Sequence, residues 1–204
     1  MNSNDQDERR SEIRAAALEV LAEMGYRKTS MLQVAKRAQA SNQTLYAWYE
    51  NKQDLFRGVI EEGGRTVRVL LEDALAAHDD PLEVLRNLGP TLLRFTTDRN
   101  AIIMNRAAVA DAAESGVLAA AIDEVGRGHI YPLICSLMEQ LKVSQVFGQD
   151  TCAEDAAQTY VALLFGEAQL RQALGTMPPF DEQEIEQRST RAFELTCRLY
   201  RSVR

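Results

Sequence analysis

Between residues 41 and 49 the chain places Ser41, Asn42, Gln43, Thr44, Tyr46, Trp48 and Tyr49 in one short run. Lys52 lies just beyond it, and Lys28, Lys36 and Arg37 just before. Adjacent side-chain amides such as Asn42 and Gln43 can offer the donor and acceptor pair that matches an adenine edge. Hydroxyls such as Thr44 and Tyr46 can bond either a base or a phosphate oxygen. The lysines and arginine add charge that attracts phosphates and positions a surface without reading sequence. Thr29, Ser30, Gln33 and Lys36, one element earlier, complete the candidate surface. This is chemistry of recognition, not of bond making. The sequence shows no Ser-His-Asp, Cys-His or paired-carboxylate constellation, so an enzyme is the weakest reading.

Short helices must position these groups. Ile13, Ala16, Ala17, Val20, Leu21 and Met24 recur at helical spacing and end at Gly25, a residue suited to a left-handed C-terminal position. A second helix begins at Ser30, where Gln33 three residues on can reach back as a capping box, and buries Met31, Val34, Ala35 and Ala38. A third starts at Ser41 and runs to about Tyr49, with Leu45 and Tyr49 turned inward. Helix, tight turn, helix is the arrangement in which the second helix enters a major groove about 12 Å wide.

The rest of the chain also reads as helix, so the fold class is all-α. A long fourth helix over about 53–77 carries Phe56, Val59, Ile60, Gly63, Val67, Leu70, Leu71 and Ala74 on one stripe. Asp80, Pro81 and Glu83 start a fifth helix, which Gly89 and Pro90 should kink. Further helices are expected over about 101–112, 115–141, 151–174 and 181–202. Pro132 should bend the second of these, and the Gly126-Arg127-Gly128 run should loosen it. Pro178 and Pro179 separate the last two, and Asp181 with Glu184 repeats the capping box.

Charge is divided along the chain. The net charge of −7 hides a basic stretch: residues 24–57 hold six Lys and Arg against two Asp and Glu. A phosphate-facing surface must therefore be local and near the N-terminus. Cys135, Cys152 and Cys197 are far apart and lack CxxC spacing, and His78 and His129 have no matching ligands. No metal and no cofactor is expected. The polar opening and the absence of 18 consecutive apolar residues predict a cytoplasmic protein with no membrane partner.

The stretch from Gly25 to Phe56 resembles the TetR family of bacterial regulators. It supplies Gly25, Tyr26, Thr29, Ser30, Val34, Ala35, Ser41, Thr44, Leu45, Tyr46, Trp48, Tyr49 and Lys52 in that family's order and spacing. Beyond these, the length and helix count are similar to the AefR-like group of C-terminal domains. There are three departures. Gln39 sits where the family's turn usually has Gly, Gln43 where Gly or Ala is common, and Trp48 where His or Tyr is usual. Gln39 must take a costly backbone conformation or alter the turn. The resemblance implies a helix-turn-helix domain, residues 1–52, docked on a larger effector-binding and dimerisation domain, residues 53–204. It further implies a homodimer joined by the last two helices.

The residues tolerate both implications. Ala157, Tyr160, Val161, Leu164 and Ala168 form one stripe and Ala192, Thr196 and Leu199 another, and two such helices per chain suit an isologous interface. Two heads would then meet half-sites about 34–36 Å apart, or a multiple of that, on a double-stranded DNA operator. Phe95, Met104, Tyr131, Met138 and Phe165 are candidates for a pocket taking a small apolar effector. The expected function is a repressor released from a palindromic operator when that ligand favours a spacing of heads that no longer matches. A bias of about 1.4 kcal/mol weakens DNA binding tenfold. The long helix is the lever, with Gly63 and Gly64 its soft point. A protein-interaction module without DNA activity is the competing class.

Overall fold

The structure, a computed structural model, describes residues 3–202, of which every regular element is helical. In chain order these are α1 (Ser3–Met24), a 3-10 turn (Tyr26–Lys28), α2 (Met31–Arg37), α3 (Asn42–Trp48) and α4 (Lys52–Ala77). They continue as α5 (Pro81–Thr97), α6 (Arg99–Asp111), α7 (Val117–Asp123), a π-helical segment (Glu124–Ile130) and α8 (Tyr131–Val143). Last come α9 (Ala153–Phe165), α10 (Ala168–Leu174) and α11 (Glu182–Tyr200).

The helix starts follow local chemistry. The Ser30 and Asp181 capping boxes both close, each with its hydroxyl or carboxylate accepting from the N3 amide while Gln33 or Glu184 returns the bond. Asp80 caps α5 by accepting from Leu82 N, but Glu83 pairs with Arg86, so the expected box there does not form. Two expected long helices are interrupted. The segment 115–141 divides into α7, the π-helical turn and α8, because Gly126 and Gly128 add no side chain that would hold α geometry ahead of Pro132. The segment 151–174 breaks at Gly166, whose φ of 50° lies in the left-handed region where glycine carries no steric penalty.

The chain packs as two compact units, divided otherwise than at the expected boundary after residue 52. One comprises the chain up to Gly63 together with Ile103–Asp123, and the other comprises Gly64–Ile102 and Glu124 onward. The chain therefore passes between units inside α4, inside α6, and where α7 gives way to the π-helical segment.

In the first unit Ile13, Ala17, Val20 and Leu21 of α1 are buried with Val34 and Ala35 of α2, Leu45 of α3, and Leu55 and Phe56 of α4. Tyr26 meets Phe56 edge-on, with ring centroids 5.8 Å apart. The α6–α7 corner belongs here too. The Asp111 carboxylate, itself buried, accepts from Ser115 Oγ at 2.6 Å and Leu118 N at 3.4 Å, and Arg27 pairs with Glu114 at 3.0 Å.

The second unit is built on α5, which packs against α11, α8 and α9. Leu85, Leu88 and Leu93 are fully buried, and Gly89 lets α11 approach so closely that an added Cβ would stand 3.0 Å from Ser189 Cβ. Tyr160 on α9 donates across the core to Leu85 O at 3.2 Å, and burial pushes its phenol well above the usual range. Each buried leucine contributes about 1.5–3 kcal/mol relative to exposure.

Thr196, on the inner face of α11, is fully buried and its hydroxyl has no hydrogen-bond partner among the described residues. Thr196→Val keeps the shape and removes the desolvated hydroxyl. It should therefore raise the stability of the fold by about 1 kcal/mol in urea denaturation, and a lower midpoint would contradict the packing described.

Candidate nucleic-acid interface

Three helix-start devices fix α3. Thr29 is buried and its hydroxyl donates to Gly25 O at 2.9 Å, closing the α1–α2 corner. Ser30 and Gln33 are engaged in the α2 box, and the Gln33 amide also reaches Met24 Sδ at 3.1 Å. Ser41 caps α3 by accepting from Thr44 N at 3.0 Å, and its hydroxyl meets Thr44 Oγ1 at 2.8 Å. Thr29, Ser30 and Gln33, expected on the contact surface, thus serve first to orient it.

α3 has one buried side, at Leu45, and the following Tyr49 is buried beside α4, where an added Cβ at Gly58 would lie 3.2 Å from its ring. Tyr49 accordingly anchors the end of α3. On the other side Asn42, Gln43, Tyr46 and Ala47 are exposed, Tyr46 to 56%. Trp48 is half-buried under the Arg10 guanidinium, 5.5 Å from the ring centroid. The outward face of α3 is therefore made of two amides, a phenol and a methyl group, small enough and polar enough to lie against base edges.

The cations divide into two groups. Lys36 and Lys28 are exposed. Arg37 forms ion pairs with Glu19 at 3.0 Å and Glu23 at 2.6 Å, which raise its pKa and lower that of Glu23. Lys52 donates from Nζ to Tyr26 O at 2.9 Å and lies 4.0 Å from the centre of the Tyr26 ring. The Lys52 ammonium, expected to face phosphate, thus ties the start of α4 to the 3-10 turn in the DNA-free chain. Tyr26 itself is buried, and burial with the nearby Asp111 and Glu114 carboxylates pushes its phenol up to about 12.

The pocket candidates fall in both units. Met104, in the first, is buried. In the second, Met138 is fully buried, Phe95 stands beside Gly64, and half-exposed Tyr131 donates to Glu154 O at 3.1 Å. Phe165 is half-buried at the end of α9.

The interface candidates need a larger correction. Ala157, Tyr160, Leu164, Ala168, Ala192 and Thr196 are all buried within the single chain, so the stripe seen in the sequence is the core face of α9, α10 and α11. Leu199, 64% exposed, and half-buried Val161 remain at the surface. The exposed apolar groups that the stripe obscured are Leu163, Leu170 and Leu174. Among the described residues no helix is long and apolar enough to cross a membrane.

Residues 13–59 match the bacterial regulatory proteins of the tetR family, and residues 83–202 match the C-terminal domain of AefR-like transcriptional repressors. No curated protein sequence matches the chain. Solved structures share the fold. A TetR-family transcriptional regulator from Mesorhizobium loti MAFF303099 is 21% identical with a TM-score of 0.78, over 96% of this chain and 98% of that one. The fatty acid degradation regulator FadR from Bacillus halodurans is 19% identical, TM-score 0.73, over 93% and 94%. FadR from Bacillus subtilis, in complex with stearoyl-CoA, is 20% identical, TM-score 0.68, over 92% and 97%. With both parts of its length matched in order and the reading helix formed, the chain belongs to the TetR family of bacterial regulators and is a DNA-binding transcription factor, not an enzyme.

Proposed function

We propose that the protein is a homodimeric repressor that seats α3 in the major groove of a palindromic operator and is released by a small, largely apolar ligand. The observation that carries the reading is the division of α3 into a buried anchor, Leu45, and an outward face of Asn42, Gln43, Tyr46 and Ala47. Gln43, where relatives tend to have a smaller residue, gives this chain a second amide for base edges. Ser41, which precedes α3, and Lys36 on α2 are exposed and suited to phosphate contacts.

Dimerisation is assigned to the outer face of α9 and α10 with the end of α11, through Leu163, Leu170, Leu174 and Leu199. Release follows if a ligand in the second unit changes how the two heads are spaced. The passages of the chain between units, inside α4 and α6 and at the π-helical segment, are the segments that can carry such a change. An apolar ligand suits the Phe, Met and Leu side chains of that unit, and the FadR fold relatives solved with stearoyl-CoA and lauroyl-CoA support the class.

The test is operator release. The purified protein is bound to a fragment it selects from random DNA, and lauroyl-CoA, stearoyl-CoA and the corresponding free acids are titrated in. At least one probe is expected to lower affinity about tenfold or more, the effect of a bias near 1.4 kcal/mol. Unchanged affinity across both chain lengths and both headgroups would leave a DNA-binding protein with a polar effector or none.

A further inference from the structure

The turn that aims α3 is held from outside itself. Gln39 has a φ of 49°, in the left-handed region, at the position where the family's turn has glycine. A side chain makes that conformation unfavourable, and nothing within the turn offsets it except the ordinary backbone bonds of Ala38, Gln39 and Ala40 to the end of α2. The carbonyls of Ala38 and Gln39 both accept from one nitrogen, Nη2 of Arg9, at 3.0 and 2.9 Å, although Arg9 lies on α1 some 30 residues earlier. Its other terminal nitrogen, Nη1, is paired with Glu12, which fixes the guanidinium in place. A cation set against carbonyls at a helix C-terminus is also favoured by the helix dipole.

We propose that Arg9 is a positioning residue for the reading helix: it locks the Gln39 turn in its left-handed conformation and so sets the angle at which Ser41 and α3 leave α2. The proposal rests on α3 being the reader. Glycine at residue 39 adopts the same conformation without steric cost. The clamp is therefore needed because the residue is Gln, and Gln39→Gly should make it dispensable. An arginine that simply touched phosphate would show no such dependence on residue 39.

The experiment is a cycle of wild type, Arg9→Ala, Gln39→Gly and the double variant. Each is titrated against the fragment selected by the wild type and against a scrambled duplex of equal length, across a salt series. Arg9→Ala is expected to lower affinity for the selected fragment on the order of tenfold. It should leave the scrambled duplex and the salt slope unchanged, and Gln39→Gly should restore affinity to within about twofold. Arg9→Gln, which keeps a donor on a shorter side chain, should fall between and serves if the alanine variant does not fold. A loss that persists in the Gln39→Gly background overturns the proposal, as does a salt slope reduced by about one, which marks a phosphate contact. If the wild type selects no fragment, the reading of α3 fails and this proposal falls with it. Selection without rescue sinks the proposal alone.

Discussion

A protein carrying Leu170→Asp and Leu174→Asp is expected to sediment as a monomer, keep its helical content and thermal transition, and lose roughly a hundredfold or more in affinity for its operator. The two residues are four apart on α10 and share one face, 63% and 69% exposed, while Ala168 and Gln172 turn inward. Leu163 and Leu199 are exposed as well. Each such leucine buried against a partner is worth about 1.5–3 kcal/mol, and carboxylates there replace that gain with repulsion across a two-fold axis. The DNA effect is large because linking two heads raises the overall avidity above that of either head by about 10²–10⁴. Substituting Ala157 or Tyr160 instead should unfold the chain, since both are core. A double aspartate variant that remained dimeric would move the interface elsewhere.

The second large effect is expected at Gly64. An added Cβ there would lie 2.3 Å from Val125 Cγ1 on the π-helical segment and 3.6 Å from Phe95 Cζ, so either Val125 or α4 must shift to admit any larger residue. Gly64→Ala should lower stability by about 1–3 kcal/mol, the usual cost of overpacking. Val125→Ala should recover most of that loss in the double variant, because it removes the colliding methyl. Gly63, which is exposed, should accept alanine with no loss. Because α4 continues into the head, the Gly64 variant should also change the response to ligand more than the affinity without it. A destabilisation that Val125→Ala left untouched would place the strain elsewhere.

The readability of this chain follows from how local each signal is. Caps were legible because both partners lie within three residues: Ser30 with Gln33, and Asp181 with Glu184. The strained turn at Gln39 was legible because a glycine position filled by glutamine leaves few backbone options, and the positive φ is the one adopted. The outward side of α3 was visible from the spacing of Leu45 and Tyr49, both of which are buried.

What sequence did not show are facts of tertiary partnership. An apolar stripe on α9 or α11 looks the same whether it faces its own chain or a second copy, and here α5, α8 and the two helices' own contact cover it, so that Leu163, Leu170 and Leu174 are the leucines left exposed on α9 and α10. Lys52 reads as a free cation until Tyr26 is found beneath it. Arg9 carries no local signature, since its two carbonyl partners lie 29 and 30 residues away. The break at Gly166 was missed because a lone glycine within an apolar helical pattern is often tolerated.

The central claim, that α3 reads DNA through its outward face, is tested most directly by selecting bound fragments from random genomic DNA with the wild type and with Tyr46→Ala, each across a salt series. Tyr46 is exposed and outside the core, so its removal should spare the fold. The account predicts one palindromic motif for the wild type, binding that weakens steeply with salt, and loss of that motif in the variant while salt-sensitive non-specific binding remains. The same motif recovered with equal strength from Tyr46→Ala and from an Asn42→Ala, Gln43→Ala protein would contradict it and place sequence reading on another part of the chain.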